Sequence, residues 1–504
     1  MSSYIKKRLD TIKTHLQNKQ YDDVITKGTE LFKDYPEQIT TLNEIIDIFK
    51  NMNDTEKTIN GLKSLTQYLS SINIPFQYIP SYCIIYSELA SSYFSRNKYK
   101  ETIDCYQKIT SKRNDIPDVY VNQAICHRSL MEYSKAIICL KIALSLEKND
   151  GTYRMLGSHY FYSKMYKDSI KHYESIKNQD YKDLYNTSFP YLASKQFSKG
   201  FKLYENRLAS NDIHPQTNQI SRVEIPSIPY WDGKVSCNHL MVIYEQGIGD
   251  NIQFFRFIIE LSNRYPELKI TYFCKNIVSH LFNTETYKNI TVIDDSSGIN
   301  ISLFDKKIYI MSLPYILRLN TIIPNSINYI VCDSKNDEKW RNKLIPFENK
   351  LKVGFMYSGL LISYIDKNID LEYFKPICCD KNIQTICLHK MDSKIKEDFS
   401  KIDFANEILV EDLDMEKAFM DTISILRNID ILVTIDTSIA HLAGVMGVKT
   451  LLLIGYTSEW RWFDNDDKVW YDSVDIIRMT EQRPMSDLIP RVKTLLDAEY
   501  QKMM

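Results

Sequence analysis

Apolar residues recur at helical spacing through the first two hundred residues. Four segments share an aromatic residue followed by small or aliphatic residues: "KYKETIDCYQKI" at Tyr99, "EYSKAIICLKIA" at Tyr133, "MYKDSIKHYESI" at Tyr166 and "QFSKGFKLYENR" at Phe197. Apolar positions at i, i+3 and i+4 are typical of amphipathic helices. The segments recur about every 34 residues, which indicates a repeated structural unit rather than independent helices.

The first helix of each unit also follows a pattern. "SELASSYFSRN", "YVNQAICHRSL" and "TYRMLGSHYFYSK" place small residues where paired helices approach closely. Two earlier segments fit more loosely, and an insertion near "NIPFQYIPSY" separates them from the clear repeats. The units resemble degenerate tetratricopeptide repeats, which implies an α-solenoid over residues 1–210. Such an array either holds a peptide or protein on its concave face or only packs on the domain that follows; the sequence leaves both open.

The periodicity changes after Arg207. The prolines and glycine of "IPSIPYWDGK" indicate a linker, placed at 211–236. Beyond it, short apolar runs alternate with helical stretches in two series, the first beginning at "HLMVIYEQ" and the second at "LKVGFMYSG". Alternation of this kind is typical of βαβ units in a parallel sheet. We therefore predict two consecutive Rossmann-like domains, at 237–345 and 346–504.

Composition excludes several classes of function. The 504 residues carry 63 Lys and Arg against 64 Asp and Glu, so nothing favours a nucleic-acid partner. The first residues do not predict a secretory signal, and no apolar run is long enough to span a bilayer. The 10 cysteines form no C-x-x-C pair, and most lie in apolar segments. Reduced thiols and a cytoplasmic location are expected.

Two strand ends carry polar side chains where ligands bind in open α/β sheets. In the first series, "LMVIYEQ" leads into "GIGDN", so that Gly247 and Gly249 allow close backbone approach and Asp250 stands at the start of a helix. An acid at this position either caps the helix or takes part in chemistry.

The second strand end is richer in polar groups. "DILVTI" leads into Asp436, Thr437 and Ser438, with His441 one turn into the next helix. Free N–H groups at Thr437, Ser438, Ile439 and Ala440, together with the helix dipole, predict an anion site suited to a diphosphate. The alternatives are that Asp436 only caps the helix and that His441 is structural.

These motifs resemble a known family. "VIYEQGIGDNIQFFRFI", "MSLP", "LKVGFMYSG", "DILVTIDTSIAHLAGVMG", "SEWRWF" and the upstream "PYWDGK" look like tetratricopeptide-repeat glycosyltransferases. Their transferase region resembles the ADP-heptose transferases and, more distantly, protein O-GlcNAc transferase. The resemblance implies a GT-B fold, with two Rossmann-like domains and the nucleotide-sugar held mainly by the C-terminal one.

The resemblance also implies residue roles. Asp250 matches the acid proposed as catalytic base in the heptosyltransferases. The residues expected to contact the donor are Gly247, Gly249, Ser358, Gly359, Lys367, Asp436, Thr437, Ser438, Ala440 and His441. No metal site and no cofactor are expected. One departure is that the basic stretch of bacterial members is replaced by "LLISYIDKNIDLEYF", which keeps Lys367 as its only cation.

We therefore predict a metal-independent inverting glycosyltransferase. It would move a hexosyl or heptosyl group from a nucleotide-diphosphate sugar to a hydroxyl on a glycan or protein. The alternative is a non-catalytic tetratricopeptide scaffold whose transferase-like region is inactive or only binds nucleotide. Trp460 and Trp462 follow the last buried strand and either pack its loop or form a wall of the donor cleft.

Overall fold

The computed structural model describes residues 3–209, 225–295, 298–322, 327–359, 367–404, 411–463, 468 and 470–504. The chain divides into two compact units, an N-terminal unit at Met1–Asn178 and a C-terminal unit at Gln179–Met504. Each is described separately below.

The N-terminal unit is a series of helix pairs. Its helices are α1 Ser3–Gln17, α2 Tyr21–Asp34, α3 Ile39–Lys50, α4 Thr55–Ser71, α5 Ile79–Phe94, α6 Tyr99–Thr110, α7 Pro117–Ser129, α8 Tyr133–Leu146, α9 Asp150–Tyr162 and α10 Tyr166–Glu174. Apolar faces of successive helices form one core from Ile5 to Val119 and a second, smaller core over α7–α9. A Cβ on Gly157 would lie 2.8 Å from the Tyr173 ring, so the predicted close approach of paired helices is confirmed here.

The turn within each pair repeats as well. One residue in each turn has a left-handed φ of 52–61°: Lys19, Asn53, Asn97, Met131, Lys164 and Lys195. These residues are 34, 44, 34, 33 and 31 positions apart. The long interval contains the predicted insertion near Pro75. The tetratricopeptide-like solenoid is therefore confirmed, including its two loosely matching early pairs.

The C-terminal unit begins with a sixth helix pair and continues as alternating strands and helices. Its helices are α11 Tyr181–Ala193, α12 Phe197–Tyr204, α13 Ile248–Arg264, α14 Asn276–Ser279, α15 Leu313–Ile316, α16 Ser334–Leu344, α17 Lys375–Cys378, α18 Ser393–Ser400, α19 Met420–Asn428, α20 Ser438–Met446 and α21 Ile489–Met503. Its strands are β1 His239–Ile243, β2 Lys269–Cys274, β3 Ile290–Asp294, β4 Lys306–Tyr309, β5 Leu351–Phe355, β6 Ile383–Cys387, β7 Ile431–Ile435, β8 Thr450–Ile454 and β9 Val474–Arg478.

The strands form two parallel sheets with helices between them, an α/β architecture. The first sheet has the order β3-β2-β1-β4 and the second the order β6-β5-β7-β8-β9. All pairs are parallel, and β7 and β8 are buried at every position. The apolar runs therefore predicted these strands correctly. The run "EILVED" is the exception, because residues 405–410 lie outside the described residues.

The pair α11–α12 belongs to the C-terminal unit, although its sequence continues the repeat. Directly after α12, the buried Arg207 guanidinium forms a two-point ion pair with Glu245, at 3.0 and 2.6 Å, and donates to the Ser312 hydroxyl at 2.8 Å. Glu245 directly follows Tyr244 at the end of β1. The division between units thus falls one helix pair before the boundary at 210 that the sequence suggests.

Two further segments bear on the domain limits. In the predicted linker, Trp231 is buried and donates its backbone N–H to the Lys307 carbonyl of β4 at 2.8 Å. Helix α16 packs on helix α19, which precedes β7 of the second sheet, and its Trp340 indole donates to Asp421 at 2.7 Å.

Among the described residues, no helix combines the length and apolar character needed to cross a membrane.

Candidate functional site

The first part of the site is the turn from β1 into α13. Gln246 has a left-handed φ of 61°, and its side-chain amide donates to the Tyr204 hydroxyl at 2.7 Å. The turn brings Asp250 into the first turn of α13, where its Oδ2 accepts the Gly247 N–H at 2.9 Å. Asn251 donates to the Glu245 and Gly247 carbonyls, which fixes the loop from the other side. Gly247 is thus the N-cap residue, and Asp250 takes part in capping from the third helical position rather than as the predicted N-cap.

The other Asp250 oxygen makes a contact that the sequence did not predict. Oδ1 forms an ion pair with Nη2 of Arg461, which belongs to the loop after β8 in the other sheet. The Arg461 side chain is 9% exposed and the Asp250 side chain 20%. Arg461 also lies 3.5 Å from the Glu459 carboxylate and 3.5 Å from the Gln246 amide oxygen, and stacks on Trp460 with 4.8 Å from Cζ to the ring centroid. Asp250 is therefore both a helix cap and the anionic partner of a buried arginine.

The second part of the site lies at the end of β7. Asp436 directly follows this strand and pairs with Lys367 at 2.8 Å, with both side chains largely buried. Burial raises the pKa of the Asp436 carboxyl, but the charge and hydrogen bond of Lys367 and the other neighbours together outweigh it, and the net pKa is lowered. Burial likewise opposes ionisation of Lys367, and Asp436 nevertheless holds its pKa above the ordinary value. The two groups form a charged pair.

The start of α20 offers fewer free donors than predicted. Thr437 precedes the helix without capping it, and its hydroxyl lies 3.9 Å from the Met356 sulfur. The expectation of a free N–H at Ala440 is wrong, because it donates to the Thr437 carbonyl at 3.1 Å in a tight first turn. Ser438 and Ile439 keep N–H groups with no acceptor among the described residues. A smaller anion site remains at the helix start.

His441 is buried within the same group. Its Nδ1 lies 3.1 Å from the Tyr471 hydroxyl, and its ring stacks on Trp462 with 5.1 Å between centroids and 18° between planes. Burial lowers the pKa of His441 to about 4, so the ring is neutral near pH 7. It can therefore offer one N–H to a ligand but no positive charge.

The two sheets meet across these strand ends. A Cβ on Gly249 would lie 3.0 Å from the His441 ring and 3.3 Å from the Ser438 Cα, so a larger residue would make this approach of α13 to α20 very tight. Gly359 follows β5 and Ser358, and a Cβ there would lie 3.1 Å from the Thr437 methyl. The predicted site residues from both halves therefore lie in one region.

The tryptophans of the loop after β8 are packed. Trp460 and Trp462 are each 2% exposed. Trp460 lies edge-on to Phe201 and Tyr204 of α12, with centroids 6.1 and 6.2 Å apart, whereas Trp462 lies on His441. Trp462 is thus adjacent to the predicted donor residue His441, and Trp460 faces the sixth helix pair. The role of either ring as a cleft wall stays a prediction.

Arg461 is the site residue that sequence reasoning missed. The available signal was an arginine between two tryptophans, directly after a buried strand. Burial disfavours its charge, but Asp250 and its other anionic neighbours hold the pKa of Arg461 above the ordinary value. Burial conversely raises the pKa of Glu459. No group of His, Cys, Asp and Glu arranged to hold a metal ion is found in the described part of the chain.

Buried neutral histidines predict an acid-sensitive fold. Burial lowers the pKa of His389, as of His441, to about 4 from an ordinary value of 6.5. Between these two pKa values the unfolded chain therefore binds more protons than the folded chain. The free energy of unfolding has its full value above the unfolded pKa and decreases as the pH falls toward the folded pKa. We expect each histidine to remove roughly 1.4 kcal/mol of unfolding free energy per pH unit in this window.

Urea unfolding at about pH 7 and about pH 5 measures this effect. His441→Gln should show a shallower pH dependence than the wild type. An unchanged free energy of unfolding across this interval would contradict the buried, neutral assignment.

No protein-family model and no curated protein matches this chain. Among solved structures it is similar to MamA, with 15% identity, a TM-score of 0.26 and coverage of 42% of this chain and 98% of that chain. It is similar to PilW, a type IV pilus biogenesis factor, with 11% identity, a TM-score of 0.29 and coverage of 42% and 94%. It is also similar to YrrB, a TPR protein with an unusual peptide-binding site, with 15% identity, a TM-score of 0.31 and coverage of 36% and 91%.

Of the three, YrrB is described as a TPR protein. Their identities and TM-scores are too low to transfer an activity or a partner to this chain. The helix pairs and their repeated turns remain the evidence for the solenoid.

Proposed function

We propose that this chain is a metal-independent inverting glycosyltransferase with a GT-B arrangement. The donor would be a nucleotide-diphosphate sugar, with its diphosphate at the start of α20. The acceptor would be a hydroxyl on a glycan or protein. The helix pairs of the N-terminal unit are proposed to hold a protein or peptide partner.

One observation supports this proposal most. Residues that follow strands of two separate sheets converge on one largely buried group: Asp250 in the first turn of α13 after β1, Asp436 directly after β7 and Arg461 in the loop after β8. Lys367 joins them through Asp436. Ligands of open parallel sheets bind at such strand ends, and buried charges away from a ligand are uncommon in a stable core.

The proposed reaction follows from these positions. Asp250 takes the proton of the acceptor hydroxyl, and the acceptor oxygen attacks the anomeric carbon from the face opposite the diphosphate. The bond from that carbon to the diphosphate breaks, and its electron pair leaves with the nucleoside diphosphate. Lys367, Arg461 and the N–H groups of Ser438 and Ile439 would stabilise the departing charge.

A second function has a specific observation in its favour. Asp250 and Asp436 are both already in ion pairs, and His441 is neutral. Packed aromatic side chains adjoin the start of α20. Three carboxylates, of Asp250, Asp436 and Glu459, face two cations there. A non-catalytic tetratricopeptide scaffold with a transferase-like region would show the same pairs, kept only for stability.

A thermal-shift panel of UDP, GDP, ADP and their sugars tests the donor binding that the glycosyltransferase requires. A ligand at about 100 times its dissociation constant should stabilise the wild type by ~2.7 kcal/mol. Lys367→Met should lose much of this shift, because its cation faces the proposed diphosphate position.

Lys352→Met is the matched control. Lys352 makes a similar half-buried pair with Asp430, at 3.2 Å, at the opposite end of the same sheet. It should keep the full ligand shift. A panel without any shift would favour the scaffold.

A further inference from the structure

Arg461 joins the two sheets through a single strong contact. Its Nη2 holds Asp250 on α13, whereas its distances to Glu459 and Gln246 are both 3.5 Å, at the limit of a hydrogen bond. Its Nε is buried and has no hydrogen-bond partner among the described residues. A guanidinium has five N–H donors, so this buried group retains capacity for an anion.

Arg461 also lies beside the proposed diphosphate position. Trp462, the next residue, stacks on His441 in the first turns of α20. Gly249, the residue before Asp250, lies close to Ser438 at the start of the same helix, since a Cβ on Gly249 would be 3.3 Å from the Ser438 Cα. The partner of Arg461 therefore adjoins the helix end where Ser438 and Ile439 offer free N–H groups.

We propose that Arg461 acts as a latch: its guanidinium pairs with Asp250 in the free protein and with the donor diphosphate once the donor binds. This inference rests on the proposed function and deepens it. Before the donor binds, the guanidinium neutralises the carboxylate that is to act as base. A diphosphate at α20 offers more anionic oxygens in a geometry that matches the guanidinium fork, and draws it away from Asp250. The carboxylate then becomes free to accept the proton of the acceptor.

The exchange has an ordering consequence. Donor binding precedes activation of the base, so the acceptor hydroxyl is engaged only when a sugar is in place. Asp250 at the same time competes with the donor for Arg461, which lowers the apparent affinity for the donor. Removal of the Asp250 charge should therefore tighten nucleotide binding, the opposite of what loss of a donor contact would do.

Isothermal titration of the full chain with UDP, GDP and ADP tests the latch. With the diphosphate that binds best, Asp250→Asn should bind at least about tenfold more tightly than the wild type. Asp305→Asn is the matched control, since Asp305 also accepts backbone N–H groups but lies at the opposite end of the first sheet. Its affinity should stay close to that of the wild type.

A second variant keeps the test independent of the folding of Asp250→Asn. Arg461→Gln should weaken binding of the diphosphate by at least about tenfold and leave binding of the corresponding nucleoside unchanged. In the Arg461→Gln background, Asp250→Asn should give no gain.

The outcomes are distinguishable. If the diphosphate binds but Asp250→Asn binds it no more tightly than the wild type or Asp305→Asn, the latch is wrong and the proposed function stands. Equal loss of nucleoside and diphosphate affinity in Arg461→Gln would also overturn the latch. If no variant and no wild-type protein binds any diphosphate, the proposed function itself fails.

Discussion

Replacing Arg207 with methionine is expected to lower the free energy of unfolding of the C-terminal unit by about 3–5 kcal/mol. The Glu245 carboxylate is 2% exposed and receives two hydrogen bonds from the Arg207 guanidinium. Without Arg207, the Glu245 carboxylate keeps one hydrogen bond among the described residues, from the Met311 N–H at 3.1 Å. Its desolvation is then no longer offset by an opposite charge.

Urea unfolding followed by tryptophan fluorescence measures this change. All five tryptophans lie in the C-terminal unit, at 231, 340, 460, 462 and 470, so the signal reports that unit alone.

Arg483→Met is the matched control, because Arg483 and Glu481 form a pair with side chains 62% and 66% exposed. It should cost at most about 1 kcal/mol. The double variant Arg207→Met, Glu245→Met should recover much of the loss, since an apolar pair leaves no buried charge behind. A loss below about 1 kcal/mol in Arg207→Met would contradict the structural account of this pair.

The elements that the sequence predicted well depend on local pattern. The repeat is visible because each helix pair buries the same positions and has a left-handed residue at the equivalent position of its turn, as at Asn97 and Met131. The buried strands are visible because parallel strands covered on both faces need continuous apolar runs, as in β7 and β8. Asp250 and Asp436 stand out because each interrupts such a pattern at a strand end.

The remaining features depend on contacts between distant residues. Arg461 and Asp250 are 211 positions apart, and no local pattern shows which acid an arginine will meet. The sixth helix pair reads as part of the solenoid, yet Arg207 and Tyr204 attach it to the C-terminal unit. The Ala440 N–H was expected to be free, but the first turn of α20 is tight enough to satisfy it locally. The acids at the strand ends could be predicted; their pairing could not.

The second large effect concerns Asp250 as base. Asp250→Asn preserves the size of the side chain and its acceptor for the Gly247 N–H but cannot take a proton. General-base catalysis contributes about 10²–10⁴-fold to such reactions, so turnover should fall by that factor. Asp305→Asn is the matched control, because Asp305 also accepts backbone N–H groups, from Asn238 and His239, at the opposite end of the first sheet. Its turnover should stay at the wild-type level.

The most direct test of the proposed function is therefore release of nucleoside diphosphate from a bound donor sugar, with water or a hydroxyl compound as acceptor. We expect the wild type and Asp305→Asn to release it at the same rate, and Asp250→Asn to bind the donor but release the diphosphate about 10²–10⁴ times more slowly. Release by Asp250→Asn at the wild-type rate would contradict the assignment of the base. A wild-type protein that releases no diphosphate from any donor it binds would contradict the glycosyltransferase and leave the scaffold.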